Sequence, residues 1–133
     1  MNAKYSYFFV KLPMALSLLG HGLVRIPKLQ IFSDWMVNFM ANSYLPEVMI
    51  RSFSYLVPFV EVVTGVLLLV GFYTRQTIYL ALALMALFVF GNTTIENWEA
   101  ITSELLHAGY LTALLYLIQY DRFSLDWFRG KEA

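Results

Sequence analysis

Seven side chains stand out as able to do chemistry in a chain otherwise poor in it. Glu61 is the only charged residue between Ser52 and Thr74. Ser17, His21 and Arg25 follow one another at intervals of four, so in a helix they stack on one face. Glu104 and His107, three apart, share another face, and Asn92 closes a third apolar stretch. Glu and His exchange protons in an accessible range, Arg holds an anion, and Asn supplies both a donor and an acceptor. Together Glu61, His21, Arg25, His107 and Asn92 suit a proton-carrying pocket for a polar head group such as a quinone. Such a site needs an apolar slot, a donor for each carbonyl and a proton route to bulk water. In a competing reading Glu61 pairs with Arg25 or His21 only to fix helix register, and His107 makes an interfacial hydrogen bond. Ligation of one haem by the two histidines is weaker, since nothing fixes them at matching depth. No metal and no intrinsic cofactor are expected.

The elements that must position these groups follow from where charges are missing. The 133 residues are 59% hydrophobic and 14% charged, against about 45–50% and about 25% in ordinary soluble domains. Gln76–Ile95, Leu105–Tyr120 and Leu12–Val24 carry no Asp, Glu, Lys or Arg at all. A bilayer core takes about 20 helical residues, and strands with open edges cannot cross it. The expectation is an all-α integral membrane four-helix bundle forming one domain over residues 1–133, with spans at about 6–26, 52–72, 76–95 and 104–120. The first span reads as a retained anchor, because no small-x-small cleavage site follows it. In the second, Glu61 falls near mid-bilayer, where an exposed carboxylate costs at least about 2.5 kcal/mol. Pro58 one turn before it withdraws a helical hydrogen bond, and Gly65 one turn after it permits close helix packing.

Between the first two spans, apolar Leu29, Phe32, Trp35, Met36, Phe39 and Met40 recur at spacings of three and four around Asp34, Asn38 and Asn42. This predicts an amphipathic interfacial helix at about 32–45, opened by Ser33 and ended by Pro46. Thr93 to Glu96 fits a capping box for the last span. The remaining aromatic and methionine residues are expected to line helix–lipid and helix–helix surfaces. Six of the nine Lys and Arg residues (Lys4, Lys11, Arg75, Arg122, Arg129 and Lys131) fall on one side of the predicted topology. Both termini are therefore expected in the cytoplasm, with the protein in a bacterial inner membrane.

Some functions are excluded outright. Nine basic residues balance nine acidic ones, which leaves no basic footprint for nucleic acid. The chain has no cysteine, so disulfide exchange, thiolate metal sites and iron–sulfur clusters are impossible. Transport of a small solute is disfavoured rather than excluded: four spans without broken, inverted repeats make a poor monomeric transporter, though oligomers could form a path. The expected partners are the lipid bilayer and other membrane subunits or further copies of the chain.

Three stretches carry a family resemblance. They are Leu19-Gly-His-Gly-Leu-Val-Arg25, then Glu61-x-x-x-Gly65-x-x-Leu68-x-x-Gly71-x-x-Thr74-Arg75, and Asp121-Arg-Phe-Ser-Leu-Asp126. With these the chain resembles the DoxX-like family of small four-span membrane proteins. The resemblance implies a four-helix bundle and a place in redox biology, since some members are small subunits of a thiosulfate:quinone oxidoreductase. Others sit in membrane complexes with detoxifying enzymes or assist receptor assembly. The expected function is a quinone-linked or accessory membrane subunit of an oxidoreductase complex. The alternative is a non-enzymatic scaffold or assembly subunit of a larger membrane complex.

Overall fold

The computed structural model describes residues 3–130, and every regular element among them is helical. Helix α1 (Ala3–Arg25) passes through a 3-10 turn, Ile26–Lys28, directly into α2 (Leu29–Phe39). Then come α3 (Glu47–Val70), α4 (Thr74–Thr93), α5 (Trp98–Tyr116), a 3-10 turn at Ile118–Tyr120 and the short α6 (Leu125–Phe128). Lys131, counted on the expected cytoplasmic side, lies outside the described residues.

Helix α1 packs on α3, α3 on α4, α4 on α5, and α5 returns to α1, while α2 lies against α3. Ala15, Leu18, Val57, Leu68, Ile78, Leu111 and Leu114 meet in the centre and are buried. Large apolar side chains also cover the outside: Phe9, Leu16, Leu23, Leu56, Val63, Leu87 and Leu106 are all exposed. A soluble domain rarely shows so much continuous apolar surface, whereas hydrocarbon requires it.

Three helical stretches are long and apolar enough to cross a membrane: the continuous run Tyr5–Phe39, Glu47–Val70 and Thr74–Thr93. The fourth expected span is not among them. Its helix, α5, carries Glu99, Glu104 and His107 in its first half, and these lower its mean hydropathy.

Several boundaries differ from the sequence expectation, each for a local reason. The amphipathic helix covers Leu29–Phe39 rather than 32–45, because the chain never leaves helical geometry for long after Arg25. Ser33 consequently does not cap it; it is buried inside the helix and accepts a hydrogen bond from Ser54 Oγ at 2.7 Å. Pro46 does not end α2 but stands at the N-cap of α3, which starts at Glu47, before the expected 52. This early turn is held by Arg51, which binds Glu47 and reaches Asp34 of α2, both at 2.9 Å. Thr93 and Thr94 form no capping box. Their hydroxyls bond back to Val89 and Gly91 carbonyls in the last turn of α4, and Asn97 caps α5 by accepting from Ala100 N.

The end of the molecule holding the start of α1 is tied by a buried polar network. Gly71 ends α3 at φ +69, a left-handed conformation that glycine adopts without strain. Asp126 then accepts from the backbone N–H groups of Tyr73 and Thr74 at 2.9 Å each, closing the N-terminus of α4. Its own N–H donates to the Gly71 carbonyl. Lys11 of α1 reaches Asp121 at 3.5 Å, and Tyr7 donates to the Leu114 carbonyl.

Candidate functional site

The opposite end of the molecule is open. There a cavity of about 560 Å³ lies between α1, α2, α3, α4 and the start of α5. Small ligands occupy cavities of about 300–1,000 Å³.

Its wall begins with a close approach of α1 to α3. A Cβ on Gly22 would lie 2.5 Å from the Pro58 carbonyl oxygen, and one on Gly65 would lie 2.5 Å from the Leu19 backbone nitrogen. Neither position has room for any side chain. Pro58 is buried in this contact. One turn beyond Gly22, Arg25 ends α1 and extends to Glu61, whose side chain is almost fully buried. A single guanidinium nitrogen, Nη1, donates to both carboxylate oxygens, at 2.6 and 2.8 Å. The rest of the guanidinium lies 4.7 Å above the Phe32 ring of α2. The pair is thus drawn out of water on the α3 side and remains partly accessible on the Arg25 side, where the desolvation cost is lowest.

A second polar group faces this wall from α4 and α5. Asn92 donates to Glu104 Oε1 at 2.6 Å and to the Phe88 carbonyl at 3.2 Å, while Asn97 donates to Asn92 Oδ1. The other carboxylate oxygen, Glu104 Oε2, is buried with no hydrogen-bond partner. His21 Nδ1 lies 2.7 Å from the Ser17 carbonyl, and His107 Nδ1 lies 2.8 Å from the Ser103 carbonyl. Each carbonyl can only accept, so both Nδ1 atoms carry the proton.

All five candidate residues, His21, Arg25, Glu61, Asn92 and His107, line this one cavity. Only Arg25 and Glu61 are in direct contact. His21 bonds within its own helix and not to Glu61. Pro58 and Gly65 stand behind the wall, in the α1–α3 contact.

Sequence reasoning misses three contributors. It sets Glu104 on the face of His107 without a role; the spacing of the two is the Glu-x-x-His of carboxylate metal sites. Among the described residues, however, no group of three or more His, Asp or Glu could hold a metal ion. Gly22 closes the helix contact as tightly as Gly65, and its signal is the Gly-His-Gly sequence next to Arg25. The third contributor is the aromatic stripe of α2, expected only as the apolar face of an interfacial helix. Phe32, Trp35 and Phe39 stack at 5.9 and 5.0 Å and line the cavity. Their spacing of three and four is the available signal.

A comparison with protein families gives a match over residues 4–104 to the family described as methylamine utilisation protein MauE. This overturns the DoxX-like resemblance: the three short stretches that suggested it occur on a chain whose larger pattern is that of a different membrane family. The match takes in α1 to α4 and ends in α5 at Glu104, so it includes four of the five cavity candidates and excludes His107. No curated protein and no solved structure matches significantly. With this family and helices of spanning length, the protein is an integral membrane protein.

Proposed function

The chain belongs to the MauE family, and from that premise we propose that it is an accessory membrane subunit of an amine-oxidising system. It holds a ligand or a partner's reactive group in the cavity at the Arg25–Glu61 end, and the oxidation itself takes place on another protein. The observation that carries this reading is the cavity: a buried carboxylate–guanidinium pair, two histidines and a second carboxylate converge on a largely apolar space. Neither a thiol nor a soluble catalytic domain is available in these 133 residues. The DoxX-derived link to quinone draws nothing from the family match.

In this reading α5 crosses the bilayer as well, completing a bundle of four. Glu104 and His107 in its first half face the cavity rather than lipid. Both termini lie on the cytoplasmic side of a bacterial inner membrane, as the Lys and Arg distribution favours. The cavity then opens toward the outer half of the bilayer.

Deletion of the gene in its native host tests the proposal. Growth with methylamine as sole nitrogen source should fail while growth on ammonium is unchanged. Equal growth on both would overturn it.

A further inference from the structure

The hydrogen-bonding groups of the cavity are unevenly used, and the imbalance identifies a class of ligand. Both oxygens of Glu61 are engaged by Arg25, and the charges of this pair cancel. The amide nitrogen of Asn92 serves Glu104 Oε1 and the Phe88 carbonyl, and its oxygen accepts from Asn97. What remains includes one conspicuous acceptor. Glu104 Oε2 is buried and unpartnered. A buried polar atom in that condition carries a penalty that a bound donor would remove. His21 and His107 each turn Nδ1 toward a carbonyl oxygen of their own helix, which leaves Nε2 of each ring facing no hydrogen-bond partner among the described residues. Arg25 retains further N–H groups, but its charge is already answered by Glu61. Glu104 makes no ion pair with Lys or Arg among the described residues.

A carboxylate with no Lys or Arg partner and one buried oxygen left unbonded calls for a cationic donor. A primary ammonium supplies one positive charge and three N–H groups. An oxidised quinone supplies two carbonyl acceptors and no donor, and so would leave Glu104 Oε2 unsatisfied. The remaining volume is apolar. The ring faces of Phe32, Trp35 and Phe39 on α2 offer both hydrophobic contact and the negative quadrupole that attracts a cation. About 560 Å³ is far more than the ammonium head alone would fill.

We propose that the cavity binds a primary alkylammonium, with its charged head on Glu104 and its apolar chain against the aromatic stripe of α2. Two sources share this chemistry: a dissolved alkylamine, and a membrane lipid with a primary amine in its head group. The inference rests on the reading of this cavity as the working site. It fails separately from that reading, since an equilibrium binding assay does not depend on growth.

The test uses the full-length protein in phosphatidylcholine nanodiscs, whose head groups carry no N–H. Hexylammonium and 1-hexanol are titrated while Trp35 emission is followed, with Trp35→Phe to isolate that signal from Trp98 and Trp127. Hexylammonium should bind at least about tenfold more tightly than hexanol, as a charge-assisted hydrogen bond implies. Glu104→Gln keeps an acceptor for Asn92 and should retain its thermal midpoint while losing that preference. Decylubiquinone should not displace the amine. Displacement by phosphatidylethanolamine added to the nanodiscs identifies a lipid source; no displacement identifies the free amine. Equal affinity for hexylammonium and hexanol, an unchanged preference in folded Glu104→Gln, or tighter binding of decylubiquinone would each overturn the proposal. Should Glu104→Gln not fold, the amine-to-alcohol comparison in the wild-type protein decides alone.

Discussion

Arg25 Nη1 lies between the two carboxylate oxygens of Glu61, 2.6 Å from one and 2.8 Å from the other, and so fastens the last residue of α1 to the middle of α3. The two residues are brought together by the absence of side chains at Gly22 and Gly65, which lets the helix backbones approach. Removing one partner strands the other. Arg25→Leu should destabilise the protein toward the lower end of the about 3–5 kcal/mol seen for broken buried pairs, because Arg25 itself keeps some access to water. The double variant Arg25→Leu with Glu61→Leu should recover much of the loss. Thermal unfolding in detergent measures both; a double variant less stable than the single one would contradict the assignment.

The glycines of α1 and α3 should respond according to their surroundings. An alanine at Gly22 or Gly65 must force α1 and α3 apart, since its Cβ would meet backbone atoms at 2.5 Å. A Cβ at Gly20, two residues from Gly22, would have nothing within 4 Å. Gly20→Ala should therefore be neutral or stabilising by up to about 1 kcal/mol, the usual helix preference, while the other two lower the thermal midpoint. Equal responses at all three positions would show that the α1–α3 contact is not as close as described.

At the far end, Asp126→Ala should cost about 1–2 kcal/mol, the range for lost helix N-caps. It removes the acceptor for the Tyr73 and Thr74 N–H groups and leaves the start of α4 open. Amide exchange at Tyr73 and Thr74 should accelerate while exchange in the middle of α4 stays slow. Unchanged protection at these two amides would contradict the capping role.

Asp121 gives that end a pH dependence. Burial pushes its carboxyl above the ordinary aspartate range, against the opposing pull of Lys11 and the hydrogen bonds from Thr74, Lys11 and Ser124. The folded protein then holds this proton more tightly than the unfolded chain does. The resulting stabilisation is fully present below the unfolded pKa of about 3.9 and is lost as pH rises through the folded value. Carboxyl NMR should show Asp121 titrating above about 3.9, and Asp121→Asn should remove the part of the stability loss that sets in as pH rises above that value. Titration at or below the ordinary value would contradict it.

Much of this architecture is legible in the sequence because lipid imposes simple rules. Long gaps in charge mark helices α1, α3 and α4, and a lone Glu61 in such a gap must find a partner. The helix ends are harder to read. Ser33 has the chemistry of a cap and Thr93 to Glu96 the spacing of a capping box, yet both lie inside or at the end of a helix that tertiary packing extends. Contacts between distant residues are not legible at all. Nothing in the local pattern joins Lys11 to Asp121, or the Tyr73 and Thr74 amides to Asp126, because those pairings exist only once α6 folds back under α3 and α4. The role of Glu104 is hidden for the same reason: its unpartnered oxygen is a property of the loop that carries Asn97 beside Asn92. The short stretches shared with the DoxX-like pattern mislead because they are brief, and small residues at close helix contacts recur in tightly packed membrane bundles.

Methylamine-dependent growth of a strain carrying Glu61→Gln tests the cavity's role most directly. Glutamine keeps the size and one acceptor for Arg25, and immunoblotting establishes that the variant reaches the membrane before growth is compared. Lost growth on methylamine with normal growth on ammonium is the expected result. Wild-type growth on methylamine from a strain that depends on this gene would show that the Arg25–Glu61 pair only holds the helices together.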